Sequence, residues 1–425
     1  MREMKDSGIE WIGNVPATWE RCKIKNVISS IGSGTTPTSS NIDYYNSEDI
    51  CWIQSGDLYK TSYISNTAVS LSAKALHLSA LQIYAAPFIV VAMYGASVGN
   101  IAISTIDACS NQACCCIKPD NNNDLKFMYY WLSMCKIDFL SQSIGGGQPN
   151  ISQSKIKNQF YYRPQLSEQK VIANFLDSKC SEIDAISADI QKEIEILEQY
   201  KRSVITEAVT KGLNPDVEMK DSGIEWVGNI PVHWDVRPLY YYFAERKKKN
   251  YLGQEQNLLS LSYGKVIRKD INTSEGLLPD SFNGYNIIEP GDIVLRLTDL
   301  QNDKRSLRTG LVKEHGIITS AYVTLKAAKE VVPEYFHYLL YAYDVMKVLY
   351  NMGNGVRQGL NYSELSKMHI VAPPIDEQKN IAAYLDAKCK EIESIIESKK
   401  QQLTVIDSYK KSLIYEYVTG KKEVI

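Results

Sequence analysis

The chain has 425 residues, of which 44% are hydrophobic, and a formal net charge of -2 at pH 7. This length suffices for two or three domains with buried cores, and the near-neutral charge excludes a protein whose whole surface is basic. The longest strongly apolar stretch, residues 85–93, is much shorter than the roughly 20 residues of a membrane helix, and the first twenty residues lack the apolar run of a signal peptide. We therefore expect a cytoplasmic protein without a membrane segment.

The cysteines and histidines predict neither disulfides nor a metal site. The nine cysteines are an odd number, and Cys114, Cys115 and Cys116 are adjacent within an apolar stretch. Such cysteines are typical of small buried side chains in a reducing compartment. The five histidines are scattered, and none has the spacing of a paired metal ligand. We expect no metal to be bound by this chain.

The N-terminal segment is the first copy of an internal repeat. Residues 3–19 read EMKDSGIEWIGNVPATW, and residues 218–234, 215 positions later, read EMKDSGIEWVGNIPVHW. Thirteen of the seventeen positions are identical. A repeat of this kind fixes the architecture, so the same small structure is expected twice.

Each copy of this segment is followed by an insert with a mixed α/β pattern. In the first insert, about residues 21–163, apolar runs predict strands and a helical pattern follows them. These elements are expected at residues 50–60, 86–95 and 100–105 for the strands and at residues 124–134 for the helix. The second insert, about residues 235–372, predicts strands at 258–264, 291–300 and 320–327 and a helix at 334–349. The order is similar although the residues differ, which favours one fold used to read two different things.

A second repeated segment follows each insert and predicts a long helix. EQKVIANFLDSKCSEIDAI, beginning at Glu168, matches EQKNIAAYLDAKCKEIESI, beginning at Glu377. Each helix would extend over about 40 residues, or roughly 60 Å. Apolar residues recur along one side of each helix, which indicates that each packs against a partner helix. Pseudo-twofold symmetry of the two copies favours an antiparallel pair, although two ordinary amphipathic helices packed on separate domains remain an alternative. The expected pairing positions are Ile183, Ile186, Ile190, Leu197 and Val204 in the first helix and Ile392, Ile395, Leu403, Ile406 and Leu413 in the second.

The expected fold class is mixed α/β (α+β). Two globular domains related by a pseudo-twofold would be separated by two long antiparallel coiled-coil helices. The domain boundaries that follow are an N-terminal domain at 1–165, a central helix at 166–213, a C-terminal domain at 214–373, and a distal helix and tail at 374–425.

The sequence lacks the motifs of a catalytic subunit. It has no G-x-x-x-x-G-K-[ST] phosphate loop, and the glycine clusters at 145–147 and 353–355 do not have the context of a dinucleotide site. The string nearest to an adenine-methyltransferase signature, Ala372-Pro373-Pro374-Ile375, lacks the polar and the aromatic residue of that signature. We therefore expect a protein that is not itself an enzyme.

A series of strings along the whole chain resembles the specificity subunits of type I restriction-modification systems. These strings are DSGIEWIGNVPATWE, residues 32–60, YGASVGNIAI, SNQACCCI, GGGQPNIS and the twice-used Pro-x-x-x-Glu-Gln helix start. Each string alone is a weak indication of the family, and the resemblance rests on the order and the duplication of the strings together. The resemblance implies a non-catalytic subunit with two target-recognition domains, each of which reads one half of an interrupted DNA site.

The resemblance also implies partners. Two adenine-methyltransferase subunits would join this chain at its long helices, and two restriction subunits would complete a nuclease. S-adenosylmethionine, ATP and magnesium would belong to those partners, while this chain would bind double-stranded DNA without a cofactor. Target adenines would be flipped into the methyltransferase pocket. The helix pair would set the gap between the half-sites, with about 45 Å spanning roughly 13 base pairs.

Candidate DNA-reading residues are loop side chains whose donors and acceptors match base edges. In the first domain they are Thr35, Thr36, Ser97, Asn111, Gln112, Gln148 and Asn150. In the second domain they are Arg296, Thr298, Asp299, Arg305, Arg308, Arg357, Gln358 and Asn361. Each of them could instead be a turn residue or a helix cap that bonds its own backbone. The basic run at 246–249 is either a phosphate contact or a solvated loop, and the repeated Trp11, Trp19, Trp226 and Trp234 either anchor the domains to the helices or a partner, or pack in the core.

Two other functions compete with this interpretation. A structural adaptor that dimerises partner proteins through the helices would show the same repeats. It does not predict loop-rich inserts that share one plan, differ in residues and carry a basic excess, with ten basic and eight acidic residues at 21–160 and eighteen and fourteen at 236–372. A stand-alone methyltransferase or nuclease is disfavoured by the missing motifs. A methyl-transfer or DNA-cleavage assay with this chain alone would separate that third possibility from the first two.

Overall fold

The computed structural model describes residues 2–59, 61–79, 81–143, 149–270, 281–300, 307–352 and 359–424. The chain divides into two compact units. The first unit combines Met1–Ile190 with Gln401–Ile425, and the second unit is Gln191–Lys400. Among the described helices, none combines the length and the apolar character that crossing a bilayer requires.

The first unit is built around a five-stranded sheet. Its strands are β1 (Met4–Asp6), β2 (Asn14–Pro16), β3 (Glu20–Lys23), β4 (Ile28–Ser33), β5 (Tyr45–Ile53), β6 (Tyr63–Ile64), β7 (Ser70–Leu71), β8 (Phe88–Ala92), β9 (Ile101–Ser104), β10 (Ala108–Ser110), β11 (Cys114–Pro119) and β12 (Phe160–Arg163). The large sheet has the order β4-β11-β8-β9-β6, a smaller sheet has the order β10-β5-β7, and β1-β2 and β12-β3 form two-stranded ladders. All five side chains of β8 are buried, which explains why its sequence is a continuous apolar run and does not alternate.

The helices of the first unit are α1 (Ala73–Leu78), α2 (Leu125–Met134), α3 (Lys136–Ser141), α4 (Gln153–Asn158) and the beginning of the long helix α5 (Leu166–Lys211). Of these, α2 packs against strands β8, β9 and β11 of the large sheet. Helix α2 begins after Asp124, whose carboxylate accepts a hydrogen bond from the backbone N–H of Phe127 at 2.9 Å and so caps the first turn. Phe127 and Trp131 of α2 are fully buried and pack edge-on against Tyr161 of β12.

The second unit repeats this plan. Its strands are β13 (Met219–Asp221), β14 (Asn229–Pro231), β15 (Asp235–Pro238), β16 (Phe243–Glu245), β17 (Leu259–Ser262), β18 (Lys265–Arg268), β19 (Asn286–Ile288), β20 (Ile293–Leu295), β21 (Thr309–Leu311), β22 (Gly316–Ile318), β23 (Val323–Ala327) and β24 (His369–Ala372). Its helices are α6 (Pro333–Val345), α7 (Tyr362–Leu365) and the beginning of the long helix α8 (Ile375–Val418). The four-stranded sheet has the order β16-β23-β20-β21, and β13-β14 and β15-β24 are two-stranded ladders, as are β17-β18 and β19-β22.

Four neighbouring strands of the largest sheet have the same order in the two units. The run β4-β11-β8-β9 of the first unit corresponds to β16-β23-β20-β21 of the second, and every neighbouring pair within both runs is antiparallel. The ladders β1-β2 and β13-β14, formed by the repeated N-terminal segments, also correspond. The predicted fold class, with two β-rich domains and two long helices packed together, is confirmed.

Two predicted strands end earlier than the sequence pattern suggests. The strand expected at residues 50–60 stops at Ile53, because Ser55–Leu58 turns into a short 3-10 helix that Gln54 and Asp57 cap reciprocally. The strand expected at residues 291–300 stops at Leu295, and the chain then leaves the sheet in a loop where Asp299 has a φ of +56°. In both cases local turn chemistry ends a strand that apolar residues alone would continue.

The long helices pair within each unit. In the second unit, Lys399 of α8 bonds Glu193 of α5 and Lys201 of α5 bonds Glu393 of α8. Because the residue number rises on one helix while it falls on the other, the two helices run antiparallel there. In the first unit, Lys410 of α8 bonds Asp184 of α5 at 2.6 Å.

The buried stripe of the helices differs from the predicted one at two positions. Ile183, Ile194 and Ile205 are 8%, 3% and 1% exposed, whereas Ile186 and Ile395 are 52% and 40% exposed and lie outside the stripe. These three buried isoleucines of α5 are eleven residues apart. A spacing of eleven follows the 3.6-residue turn more closely than a spacing of seven, which drifts by about 20° per heptad. The other predicted positions, Ile190, Leu197, Val204, Ile392, Leu403, Ile406 and Leu413, are buried or partly buried.

Candidate nucleic-acid interface

Several loops of the first unit meet at one end of its five-stranded sheet. Strand β4 ends opposite the start of β11, with Ser33 paired to Cys115, and β8 ends there as well, with Ala92 paired to Cys114. Strand β9 begins at the same end, since Ile101 pairs with Val91. The loops at 34–36, 93–100 and 111–113 therefore lie together, and with residues 149–151 they form what we call the first loop edge.

Thr36 and Gln112 are joined at the first loop edge. The Thr36 hydroxyl donates a hydrogen bond to the side-chain carbonyl oxygen of Gln112, and both side chains are exposed. The loops approach closely at Gly34, where a Cβ atom would lie 1.5 Å from the carbonyl oxygen of Ser110. Only glycine fits there, so Gly34 sets how near Thr35 and Thr36 come to Gln112.

Ser97 and Asn150 are brought to the same edge by backbone hydrogen bonds. The N–H of Gly95 donates to the carbonyl of Pro149 at 2.8 Å, and the N–H of Ile151 donates to that of Met93 at 2.9 Å. The Ser97 hydroxyl donates to the carbonyl of Tyr94 at 2.9 Å, while Asn150 is exposed. The structure thus joins two candidates that are more than fifty residues apart in sequence.

Asn111 has a structural role at this edge. Its side-chain oxygen accepts a hydrogen bond from the N–H of Ala113 at 3.0 Å, and its own N–H donates to the carbonyl of Ile53 at 3.0 Å. This is the turn-residue alternative that the sequence left open.

The second unit has a corresponding loop edge. Leu295 of β20 pairs with Thr309 of β21 and with Val323 of β23, and Glu245 of β16 pairs with Leu325. The segments 246–249, 296–299 and 307–308 therefore leave or enter the sheet at one end. The N–H of Leu360 donates to the carbonyl of Leu297 at 2.9 Å, which adds residues 359–361. These four segments form the second loop edge.

The basic run at 246–249 lies at the second loop edge, in the place that Gly34–Thr36 occupies in the first. Arg246 forms an ion pair of 2.5 Å with Asp292, and Lys249 donates to the carbonyl of Gly284 at 2.8 Å. Burial raises the pKa of Asp292 even though Arg246 lies beside it. Lys247 and Lys248 are exposed, and Lys247 pairs with Glu245 at 2.8 Å. Arg246 and Lys249 are therefore held in place by protein groups, whereas the side chains of Lys247 and Lys248 lie at the surface.

The candidates of the second loop edge have different environments. Thr298 is exposed, and Arg296 and Asp299 are partly buried. Arg308 is 0% exposed, and its guanidinium bonds backbone carbonyls, so it is not open to a base edge in this structure. Asn361 caps α7, since its side-chain oxygen accepts from the N–H of Glu364 at 3.1 Å, although the side chain is itself exposed.

Four candidates lie outside the described residues. They are Gln148, Arg305, Arg357 and Gln358.

The repeated Glu-Gln pair at the start of each long helix has a role that the sequence analysis did not assign. Glu168 accepts a hydrogen bond from the indole N–H of Trp19 at 3.2 Å, and Glu377 accepts from that of Trp234 at 3.1 Å. Trp19 and Trp234 are buried, whereas Trp11 and Trp226 are 36% and 39% exposed. The repetition of both the tryptophan and the glutamate could have revealed this contact.

The neighbouring glutamine ties each insert to its long helix. Gln169 donates to the carbonyl of Pro164 at 2.9 Å and accepts from the N–H of Asp124, the cap of α2, at 2.8 Å. Gln378 makes the same two contacts with Pro373 at 2.9 Å and with Val332, the cap of α6, at 3.0 Å. The same buried amide therefore orients the insert in both units.

The long helices carry exposed apolar side chains at equivalent positions of the repeat. Ile186, Ile196 and Tyr200 of α5 correspond to Ile395, Val405 and Tyr409 of α8, 209 positions later. All six side chains are between 40% and 67% exposed. In the first unit, Ile186 follows Asp184 by two residues, and Val405 and Tyr409 precede its partner Lys410 by five residues and one; we call these three residues the first helix patch. In the second unit, Ile395 follows Glu393 by two residues, and Ile196 and Tyr200 precede its partner Lys201 by five residues and one; we call them the second helix patch.

The cysteines of β11 belong to the core. Cys114, Cys115 and Cys116 are all fully buried, and burial raises the pKa of the Cys116 thiol to about 12, so that thiol stays protonated at neutral pH. Within the described ranges, no three His, Cys, Asp or Glu side chains are grouped so as to bind a metal ion.

Comparison with known proteins identifies the family. The MjaVIII type I restriction enzyme specificity subunit of Methanocaldococcus jannaschii is 26% identical over 315 residues, which cover 70% of each chain. A second relative from the same organism, named for the type I restriction enzyme MjaX, is 27% identical over 283 residues, which are 65% of this chain and 62% of that protein. This chain therefore spans less than two thirds of the second relative.

A solved chain from a study of complex assembly and conformational transition in a type I R-M system has a TM-score of 0.68 and 12% identity, and the alignment covers 95% of this chain and 98% of that one. At this identity the likeness shows the fold. The family model for the type I restriction modification DNA specificity domain matches residues 16–196 and 290–405. Because this match covers more than half of the sequence, the chain belongs to the type I restriction modification DNA specificity family.

Proposed function

We propose that this chain reads a bipartite, interrupted DNA site, one half with each unit, and directs adenine-methyltransferase subunits to it. The observation that carries the proposal is that both units gather polar loops at the same end of a sheet of the same strand order, although the residues of these loops differ. A shared scaffold with different loop side chains is what two readers of different half-sites require.

The two loop edges offer different chemistry to DNA. The first presents hydroxyl and amide groups, with Thr36, Gln112 and Asn150 exposed. Amide side chains suit adenine, and hydroxyls suit several bases. The second presents the exposed Lys247 and Lys248, which suit phosphate, beside the exposed Thr298. We therefore propose direct base contacts by the exposed candidates and backbone contacts by these two lysines, and we propose that Asn111 positions the first edge without touching a base.

The two helix patches support the binding of two copies of one partner. Each patch combines two apolar residues of one long helix with one apolar residue of the other. The repeat offset of 209 positions relates each residue of the first patch to a residue of the second. Exposed apolar clusters of this kind mark protein–protein contact sites. We propose that each patch binds one adenine-methyltransferase subunit, and that restriction subunits join the assembly through those partners.

The chemistry belongs to these partners in our proposal. S-adenosylmethionine would be bound by the methyltransferase subunits, and ATP and magnesium by the restriction subunits. This chain would supply sequence specificity in the cytoplasm, where the chromosomal DNA of a bacterial or archaeal cell is accessible. The length of the gap between the half-sites stays a prediction, as does its shortening when one helical turn is removed from each long helix.

Methylation mapping tests the proposal. Genomic adenine methylation would be compared between cells that co-express this chain with a type I methyltransferase subunit and cells that express the methyltransferase alone. We expect a new interrupted motif only in the first culture. If the two proteins copurify and no new methylation is found, the structural adaptor becomes the better account.

A further inference from the structure

A buried arginine holds the backbone of the loop that follows β20. The Arg308 guanidinium donates through Nη1 to the carbonyl oxygens of Arg296 at 3.1 Å and Thr298 at 2.9 Å. Through Nη2 it donates to the carbonyl oxygen of Asp299 at 3.3 Å. One side chain thus bonds three of the four residues in the 296–299 segment of the second loop edge.

The arginine is itself fixed from the side of the core. Its Nε donates to the hydroxyl of Tyr350 at 3.1 Å, and the guanidinium carbon lies 5.1 Å from the centre of that ring. The backbone N–H of Arg308 donates to the carboxylate of Asp344 at 2.8 Å, and Asp344 is 2% exposed. A planar guanidinium can make these bonds simultaneously because its five donors point in fixed directions.

The loop depends on this support. Asp299 has a φ of +56°, in the left-handed region that aspartate enters more readily than most residues other than glycine, and its carbonyl is held by Arg308 in that conformation. Removal of the guanidinium would also take one hydrogen bond from each of the carbonyl groups of Arg296, Thr298 and Asp299. With the carbonyls held inward, the Thr298 side chain is left exposed at the second loop edge.

We propose that Arg308 is a positioning residue, which fixes the 296–299 loop and thereby sets the base preference of the second half-site without touching DNA. The inference rests on the proposed function, because it assumes that the second loop edge reads DNA. It replaces the direct base contact that the sequence suggested for Arg308.

The test is Arg308→Lys in the full chain, co-expressed with the methyltransferase subunit. Lysine keeps the positive charge but lacks the planar guanidinium group whose N–H donors reach three carbonyl oxygens at once. We expect methylation at sites with one mismatch in the second half to rise at least tenfold relative to the cognate site, while the first half is read as before. The control is Leu339→Ala, a fully buried position in α6, which should lower total methylation and leave the motif unchanged.

Two further measurements keep the proposal testable if Arg308→Lys folds poorly. Tyr350→Phe removes only the hydroxyl that accepts from Nε, so we expect a smaller relaxation in the same half of the motif. In the purified chain without a partner, Arg308→Lys or Tyr350→Phe should speed amide hydrogen exchange at residues 296–299 and leave exchange in β8 unchanged. Unchanged specificity in variants that fold and form the complex would overturn the proposal, whether or not amide exchange at residues 296–299 becomes faster. If the wild-type chain yields no interrupted motif, the proposed function fails, while the exchange measurement still decides whether Arg308 holds the loop.

Discussion

At the scale of single residues, the second loop edge separates cations that are already engaged from cations that face solvent. Arg246 is paired with the buried Asp292, and Lys249 bonds a backbone carbonyl. Lys247 and Lys248 are exposed, although Lys247 has Glu245 as a neighbour. Lys248 is therefore the residue at which a phosphate contact can be tested with the least damage to the fold.

Lys248→Ala should weaken DNA binding to all sequences to a similar extent and leave the recognised motif unchanged. A phosphate contact adds to affinity without carrying sequence information, and its loss should reduce the slope of log K against log salt by about 1. Binding of the assembled methyltransferase complex to cognate and non-cognate duplexes, measured across salt concentrations, checks this. Lys379→Ala, an exposed position in α8, is the control, and an equal effect of both variants would contradict a specific role for Lys248.

His315 gives the second unit a pH-dependent contribution to stability. It lies 2.7 Å from the Glu289 carboxylate and 2.8 Å from that of Glu255, and the hydrogen bond to Glu289 raises the pKa of His315. A raised pKa in the folded state contributes stability that is fully present below the unfolded value of about 6.5 and is lost as pH rises through the folded value. The His315 side chain is 46% exposed, so screening by solvent should keep the contribution below about 1 kcal/mol.

His315→Gln should therefore lower the thermal unfolding temperature more at pH 6 than at pH 9. Thermal unfolding of the wild type and the variant at the two pH values measures this difference. His369→Gln, an exposed histidine at the start of β24, is the control. A deficit of the His315 variant that is the same at both pH values would show that the ion pairs do not contribute.

At the scale of secondary structure elements, the repeats made much of the fold predictable. The duplicated segments predicted two long helices, because similar sequences form the same local structure, and the similar order of strand and helix patterns in the two inserts predicted one fold used twice. The sequence predicted less well which side chains form the buried face of each helix. The heptad pattern selects Ile186 and Ile395, but each lies about 60° around the helix from a buried isoleucine three residues earlier, and both are exposed. Ile194 and Ile396 are buried instead.

Ile392→Ala and Ile395→Ala form a matched pair that tests this stripe. Ile392 is 2% exposed, so its truncation should lower the free energy of unfolding by about 2–4 kcal/mol, whereas truncation of Ile395 should cost less than about 1 kcal/mol. Both residues belong to the second unit, so urea unfolding of that unit compares them directly. Similar losses for the two variants would mean that the stripe follows the heptad spacing after all.

The helix patches can be tested one at a time. Val405→Glu combined with Tyr409→Ala should remove the first patch and reduce the number of bound methyltransferase subunits from two to one, because a charge at an apolar contact opposes burial. Ile196→Glu combined with Tyr200→Ala should do the same at the second patch. Native mass spectrometry of the copurified complexes gives the count, and two bound subunits in both variants would place the partner elsewhere.

At the scale of the whole molecule, the sequence selected loops that lie together in the fold, but it did not predict which groups each of their polar side chains bonds. Thr36 and Gln112 both lie in loops next to strand ends, and the fold brings them together at one end of a sheet. The roles of Asn111, Asn361 and Arg308 depend on contacts with backbone groups, which residue type and position in sequence do not reveal. A polar residue can bond its own loop or a base equally well, and only the fold decides between the two.

The central claim is that each unit reads its own half of one interrupted site, and exchange of one insert tests it most directly. Residues 21–163 would be replaced by the corresponding insert of another type I specificity subunit, with both repeated segments and both long helices retained, and genomic adenine methylation would be mapped with the same methyltransferase partner. We predict a motif in which one half changes while the other half stays the same. A motif that changes in both halves, or in neither, would contradict the account.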